Sequence, residues 1–296
     1  MFSLNADWPI GSTKWLAKSN RQMLLVDSHT GGNPTRIVVG GLEPGLYPPM
    51  CCHCMIGFAS VIVELDLMPD LWSANSDEGR FRIRTPAGPI AVTVRKERQR
   101  FTPVTLTNVP SYIVRQDRHP VNGQDAVVEL LYGGDFYVSV DAESIGLSLS
   151  AENATDILSL ARLLRSTYTE GGVRDPLTGE LLDVYQVMFY RLDPANPQNA
   201  KVVVVAPPGV IDRSPCGTGS SALFAKLITE GALRPDETLT VESIIGSTFS
   251  VAAERVEERP KRRLVTSLLT GRAYINGFLN IVVDDEDRLA DGFAPL

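Results

Sequence analysis

One stretch constrains this chain more than any other: the apolar run Lys201-Val202-Val203-Val204-Val205-Ala206 followed, a few residues on, by Asp212-Arg213-Ser214-Pro215-Cys216-Gly217-Thr218-Gly219-Ser220-Ser221-Ala222. The run reads as a buried strand, and the glycines and small residues after it read as a tight turn feeding a helix. Such a junction places the Cys216 sulfur beside unpaired backbone N–H groups and the positive end of a helix dipole. Those groups are expected to lower a thiol's pKa and favour the thiolate, a base or nucleophile. They also offer a seat for a carboxylate or phosphate.

A second junction of the same kind lies upstream. Pro49-Met50-Cys51-Cys52-His53-Cys54-Met55-Ile56-Gly57-Phe58-Ala59-Ser60 runs from a turn into an apolar helix that Val61-Ile62-Val63 continues. Two cysteines, each opening a helix in its own half of the chain, suggest an enzyme with opposed thiols, an arrangement suited to moving a proton from one face of a carbon to the other. The backbone N–H groups of Cys52-His53 and Gly217-Thr218 are candidates to stabilise carbanion character next to a carboxylate. No flavin or dinucleotide glycine fingerprint is present and no lysine stands out as an imine former, so no cofactor is expected.

The four cysteines, three of them at positions 51, 52 and 54, do not form a disulfide framework. Zinc is the sharper rival for Cys51, Cys52, His53 and Cys54. It is disfavoured because adjacent side chains diverge and zinc usually takes pairs spaced by two to four residues. No metal is therefore expected. Buried, inert thiols are the plainer reading for Cys52 and Cys54. Asp212 before Ser-Pro has a plain reading as a turn former. His29 reads as structural and His119, before Pro120, as a surface loop residue. Tyr132 and Asp135 flank the Gly133-Gly134 bend; a site-lining role is open to them, and a tight turn is the simpler account.

Elsewhere, residues 78–95 read as two strands around the turn Thr85-Pro86-Ala87-Gly88-Pro89, and 126–131 with 136–140 as another antiparallel pair. Residues 150–167 form the best amphipathic helix, with Ile157, Leu158, Leu160, Leu163 and Leu164 on its apolar side. Residues 184–191, 244–255 and 264–283 read as further strands, and the charged run 254–263 as a solvated turn or strand end. The net charge of −7 gives no hint of nucleic-acid binding. No apolar segment has the length of a membrane span and residues 1–21 lack a signal-like core, so a cytoplasmic protein is expected.

These residues together resemble the proline racemase family, which includes hydroxyproline 2-epimerases and trans-3-hydroxyproline dehydratases. Asp27-Ser28-His29-Thr30-Gly31-Gly32-Asn33-Pro34-Thr35-Arg36 is similar to the family's D-S-H-T-G-G-E-P-T-R opening, with Asn33 for the usual Glu. Met50-Cys51-Cys52-His53-Cys54 resembles its M-C-G-H-G, with Cys52 and Cys54 in glycine positions. Asn108-Val109-Pro110, Gly133-Gly134-Asp135-Phe136-Tyr137 and Gly271-Arg272-Ala273 fit further landmarks, and 212–219 matches the second-cysteine motif throughout.

The resemblance implies an α+β, diaminopimelate epimerase-like fold of two pseudo-symmetric halves, each wrapping β-sheet around a central helix, with the site between them. Residues 22–130 plus 268–296 would form the first half, 131–267 the second, and 1–21 an N-terminal extension. It further implies that Cys51 and Cys216 are the two bases, that Asp212 contacts the ring nitrogen of proline or hydroxyproline, and that Cys52, His53, Gly217 and Thr218 bind substrate. A homodimer is possible. Cysteine rather than threonine at 216 favours a racemase or epimerase over a dehydratase.

One departure bears on activity. Family members carry roughly 45 residues, about one supersecondary unit, between the strand at 36–41 and the first cysteine motif. This chain has only Leu42-Glu43-Pro44-Gly45-Leu46-Tyr47-Pro48-Pro49. The alternative to an active isomerase is therefore a shortened family member that folds in part or binds a small acid without turning it over.

Overall fold

The computed structural model describes residues 21–40, 50–72, 76–85, 87–97, 100, 101, 103–169, 173–175, 177, 179, 181, 182, 184, 186–260, 262–283 and 286. Residues 1–20 of the expected extension and the connection at 42–49 lie outside them.

Strands β1 (Arg21–Thr30) and β2 (Asn33–Gly40) form a hairpin that precedes helix α1 (Cys52–Glu64). Then come β3 (Glu78–Thr85), β4 (Gly88–Glu97), the short β5 (Arg100–Phe101), the long β6 (Val104–Val121), β7 (Gln124–Tyr132) and β8 (Phe136–Asp141). Helix α2 (Ala154–Thr169) precedes β9 (Val173–Arg174), β10 (Leu181–Leu182), β11 (Gln186–Asp193), β12 (Asn196–Ala206) and β13 (Val210–Ile211). Helix α3 (Gly217–Glu230) is followed by β14 (Leu239–Glu242), β15 (Thr248–Arg259), β16 (Arg262–Gly271) and β17 (Ala273–Val283). Few helices and much sheet make the α+β class plain.

The main sheet runs β16-β15-β14-β12-β11-β8-β7-β6-β4-β3, and a further pairing of β16 with β6 closes it into a ring. Helix α3 packs within that ring, and every residue of 217–228 is buried. Around α1 the wall comes from a separate sheet ordered β17-β1-β2, together with β4 and β6. This wall stays open among the described residues: β2 pairs only with β1, and β3 only with β4.

The valine run of β12 follows from burial on both faces. Val202 and Val204 join the core around α1 and α3, while Val203 and Val205 join a second core under α2. The same split divides Met188 and Tyr190 from Val187 and Phe189 on β11. With both faces covered, every position is apolar and the usual alternation disappears. Helix α2 closes the second core through Ile157, Ala161, Leu164 and Tyr168. Leu163, expected on that side, is 54% exposed; at 100° per residue it sits about 120° around the axis from Ile157.

Two other expectations are corrected. His119 lies in β6, opposite Ala126, and its ring meets Tyr168 edge-on. The chain turns later, at Asn122 and Gly123, which both take positive φ as a tight hairpin requires. Pro120 is tolerated there because this end of β6 pairs on one side only. Residues 243–247 are a turn rather than strand: the Ser243 hydroxyl accepts from the N–H groups of Ile245 and Ser247, and β15 starts at Thr248.

Helix α3 carries one buried cation. Lys226 lies 3.2 Å from Glu129 of β7 and 2.5 Å from Glu230, and Glu129 also accepts from Gln116 and Tyr190. Burial holds the Glu129 carboxyl above its usual range, with Lys226 opposing. Lys226→Met leaves that carboxylate buried without its cation and is expected to cost about 3–5 kcal/mol at neutral pH. A carboxyl whose folded pKa is raised loses its stabilising contribution as pH rises, so the deficit should shrink on acidification, when Glu129 takes up a proton. Urea unfolding of both proteins at pH 7.5 and 5.5 checks this; equal deficits at the two pH values would contradict it.

Candidate active site

Both cysteine junctions fold as strand or loop into helix, with the cysteine at the N-cap. Cys51 precedes α1 in an extended conformation (φ −142°), whereas Cys216 precedes α3 at φ 55°, a region that residues other than glycine seldom occupy. Neither helix has a side-chain cap, and neither has an acidic residue in its first turn. The leading N–H groups of both helices therefore remain available to an anion, at the positive end of each dipole.

The two N-termini meet at Gly217. A Cβ built there would fall 2.3 Å from the Cys52 Cβ and 2.4 Å from a methyl of Leu269. Cys52 is thus a buried packing residue at this contact, its thiol pushed up chiefly by burial. Gly133 serves the same approach from the strand side: a Cβ there would lie 2.1 Å from the Thr218 carbonyl oxygen. That contact explains the Gly133-Gly134 bend and sets Asp135 beside the site.

Between the helices lies a cavity of about 190 Å³, lined by Cys51, Cys52, His53, Asp212, Cys216, Gly217 and Thr218, together with Asn33, Asp135, Tyr137, Gln186 and several apolar groups. Every site residue expected from sequence therefore borders one space. Its size suits a metabolite much smaller than the drug-like ligands of 300–1,000 Å³ pockets. Its charge pattern is distinctive: the ionisable lining groups are cysteines, a tyrosine, His53, Asp135 and Asp212, with neither Lys nor Arg among the described residues. A bound carboxylate must rely on helix N–H groups, and a bound amine has two carboxylates to choose from.

Asp212 is both turn former and lining residue. Its Oδ1 accepts from the Ser214 N–H at 2.7 Å and the Ser214 hydroxyl at 2.8 Å, and from the Asn33 side-chain amide. Burial raises its pKa, opposed by His53 and Ser214. Asn33 also accepts from the Arg213 N–H at 3.1 Å, so the β1–β2 turn braces the loop before Cys216. Gly31 and Gly32, both at positive φ, let that turn lie against Ser214, Pro215 and Ile245.

The thiols depart from expectation. Burial pushes the Cys216 thiol well up, and the Asp212 charge adds to this; the Tyr137 hydroxyl and the Gly219 N–H work the other way. Cys51 is also raised, first by its hydrogen bond to Cys54 and then by burial, against the opposing pull of His53. The helix starts were expected to lower both; instead the hydrogen bond to Cys54 and then burial at Cys51, and burial at Cys216, favour the neutral thiols. Cys54 alone is lowered, because Cys51 donates to it at 3.2 Å. His53 is held by the Thr30 hydroxyl on its carbonyl, and its Nδ1 lies 3.4 Å from the Cys51 sulfur.

Sequence reasoning passed over Tyr137 and Gln186, and preferred a turn over the site-lining place that Asp135 takes. The Tyr137 hydroxyl lies 2.6 Å from the Thr218 hydroxyl and 3.4 Å from the Cys216 sulfur, and Gln186 donates to Asp135 at 3.2 Å. No local signal marked them, because β8 and β11 are buried on both faces and neither strand alternates. His29 stacks beside Tyr274, away from the cavity lining, in keeping with a structural part.

The contact at Gly217 can be tested directly. Gly217→Ala should lower stability by about 1–3 kcal/mol through overpacking. Adding Cys52→Gly should restore much of that loss. Thermal unfolding of the single and double variants decides; no recovery in the double variant would mean that Cys52 does not set the approach of the helices.

Comparison with known proteins bears on this arrangement. A family model described as proline racemase matches residues 42–294. A proline racemase from Acetoanaerobium sticklandii is 28% identical over 337 aligned positions, covering 93% of this chain and 99% of that protein. A 4-hydroxyproline epimerase from Brucella ovis is 29% identical over 343 positions, with 93% and 99% covered. Since 93% of this chain is about 275 residues, some 60 to 70 positions in those alignments have no counterpart here. A crystal structure of a hydroxyproline epimerase from Agrobacterium vitis, with bound trans-4-hydroxy-L-proline, shares the fold at a TM-score of 0.82 and 24% identity, covering 94% of this chain and 96% of that one.

Proposed function

This chain belongs to the proline racemase family and is an isomerase of the racemase and epimerase class, and from that premise we propose that it inverts the α-carbon of proline or a hydroxyproline by proton transfer between Cys51 and Cys216. The observation that carries this reading is the convergence of two uncapped helix N-termini, each beginning at a cysteine, on one small cavity that no Lys or Arg lines among the described residues.

The substrate carboxylate takes N–H groups at the starts of α1 and α3, those of Cys52, His53, Gly217 and Thr218. There it meets two dipoles and an enclosed, poorly hydrated setting in which each hydrogen bond strengthens. Asp212 accepts from the protonated ring nitrogen and fixes which face of the α-carbon each sulfur sees. A thiolate on one face removes the α-proton, the electron pair delocalises into the carboxylate, and the thiol on the other face returns a proton. One sulfur has gained a proton and the other has lost one, the configuration is inverted, and no cofactor is consumed.

The hydrogen bond to Cys54 and then burial favour the neutral thiol at Cys51, and burial does so at Cys216. The site thus begins with its proton donor in place, and the step that needs help is the loss of one proton. His53, in contact with Cys51, and the Tyr137 hydroxyl and Gly219 N–H at Cys216 are the groups that favour the thiolate.

Proton NMR in D2O with L-proline and with the 3- and 4-hydroxyproline isomers tests the proposal. The expected result is loss of the α-proton signal with growth of the epimer. Cys51→Ser and Cys216→Ser should each slow inversion by at least about a thousandfold, within the range general acid–base groups supply. Each variant should retain slow α-proton exchange on opposite antipodes. Consumption of 3-hydroxyproline without an epimer would instead identify a dehydratase. A folded protein that exchanges none of these substrates would identify a shortened family member without this activity.

A further inference from the structure

Sequence spacing disfavours a metal at positions 51–54, since neighbouring side chains usually diverge. That holds for Cys52, which turns into the contact with Gly217. It fails for the other three. Cys51, His53 and Cys54, all half-buried, bring their ligand atoms within 4.8 Å of one another. The two sulfurs are 3.2 Å apart, and the His53 Nε2 lies 3.8 Å from the Cys51 sulfur and 3.4 Å from that of Cys54.

We propose that Cys51, His53 and Cys54 form a binding site for a soft divalent cation, zinc in the first instance. The triangle they define has a single central point about 2.0 Å from each atom. Lifting that point by roughly 1 Å out of the plane places it about 2.2 Å from all three, close to the bond lengths of about 2.3 Å for zinc–thiolate and 2.0–2.1 Å for zinc–imidazole. The helix start supplies this convergence: residues 51 and 54 stand one turn apart on the same side of α1, and the His53 ring spans the gap between their sulfurs. The backbone behind His53 is held by the Thr30 hydroxyl at 2.9 Å.

The donor set selects the ion. Two thiolates and an imidazole suit zinc, cobalt or cadmium, and suit magnesium or calcium poorly, since those ions require oxygen. Three protein ligands leave a fourth position, as in zinc sites that exchange water or substrate. Cys51 and His53 both line the cavity, which Asp212 also borders. The fourth position is therefore open to water or to a small carboxylate. Zinc held by the Cys51 thiolate occupies the sulfur that proton transfer would use, so the metal-bound state and the turnover state exclude each other, and the readouts below do not depend on turnover.

The test uses the full chain, stripped with chelator, kept reduced and titrated anaerobically with cobalt chloride. The expected result is one equivalent of cobalt bound, with intense thiolate-to-cobalt charge-transfer absorption and the strong visible bands of a four-coordinate ion, both bleached by added zinc chloride. Cys54→Gly, which places glycine where relatives of the family carry it, should weaken binding by about a hundredfold or more while circular dichroism shows the fold retained. Cys216→Ser should leave the spectrum unchanged, since that sulfur lies outside the triangle. Weak octahedral bands without charge transfer in a folded protein with four titratable thiols would overturn the proposal. So would a spectrum insensitive to Cys54→Gly or abolished by Cys216→Ser.

Discussion

Two helix N-termini pressed together at Gly217 and Cys52 are the constraint on which the rest of the structure depends. Like dipole ends repel, and each helix start leaves N–H groups without partners. Bringing two such ends together costs free energy unless something negative sits between them. The chain supplies no capping side chain and no acidic residue in either first turn. The two helix starts therefore favour an anion in the small space that they border. Gly217 and Gly133 permit the approach by lacking a side chain, and Leu269 and Ala222 pack around it.

The supporting structure can be read as what holds this contact in place. Helix α3 is enclosed by a closed ring of strands and is buried along nearly its whole length. Helix α1 rests on β1 and β2 through Gly57, against Ser28 and Thr35. The β1–β2 turn then reaches across to the loop before Cys216, where Asn33 holds both the Asp212 carboxylate and the Arg213 N–H, and Ser247 donates to the Gly31 carbonyl at 2.7 Å. Among the described residues the wall around α1 is open at β2 and β3. The two relatives aligned to this chain are longer by tens of residues.

Much of this was legible in sequence where the physics is local. Glycine-rich turns ahead of apolar helices revealed both cysteine junctions, and the valines of β12 announced a strand covered on two faces. What escaped was set by distance along the chain. Tyr137 and Gln186 reach the cavity only because β8 and β11 pair side by side, a parallel register that no local pattern encodes. The thiols shift against expectation because burial at Cys216, and at Cys51 the hydrogen bond to Cys54 followed by burial, outweigh the groups that favour the thiolate. Adjacent residues were expected to diverge, yet His53 and Cys54 converge on Cys51 while Cys52 turns away; the contact with Gly217 decides which side chain faces inward.

The most direct test of the central idea is a crystal structure with pyrrole-2-carboxylate, a planar five-membered ring that mimics an α-carbon flattened by proton loss. The account predicts its carboxylate between the starts of α1 and α3, accepting from their leading N–H groups, with the sulfurs of Cys51 and Cys216 on opposite faces of the ring and Asp212 at the ring nitrogen. A ring bound with both sulfurs on one face, or a carboxylate held away from the two helix starts, would contradict it.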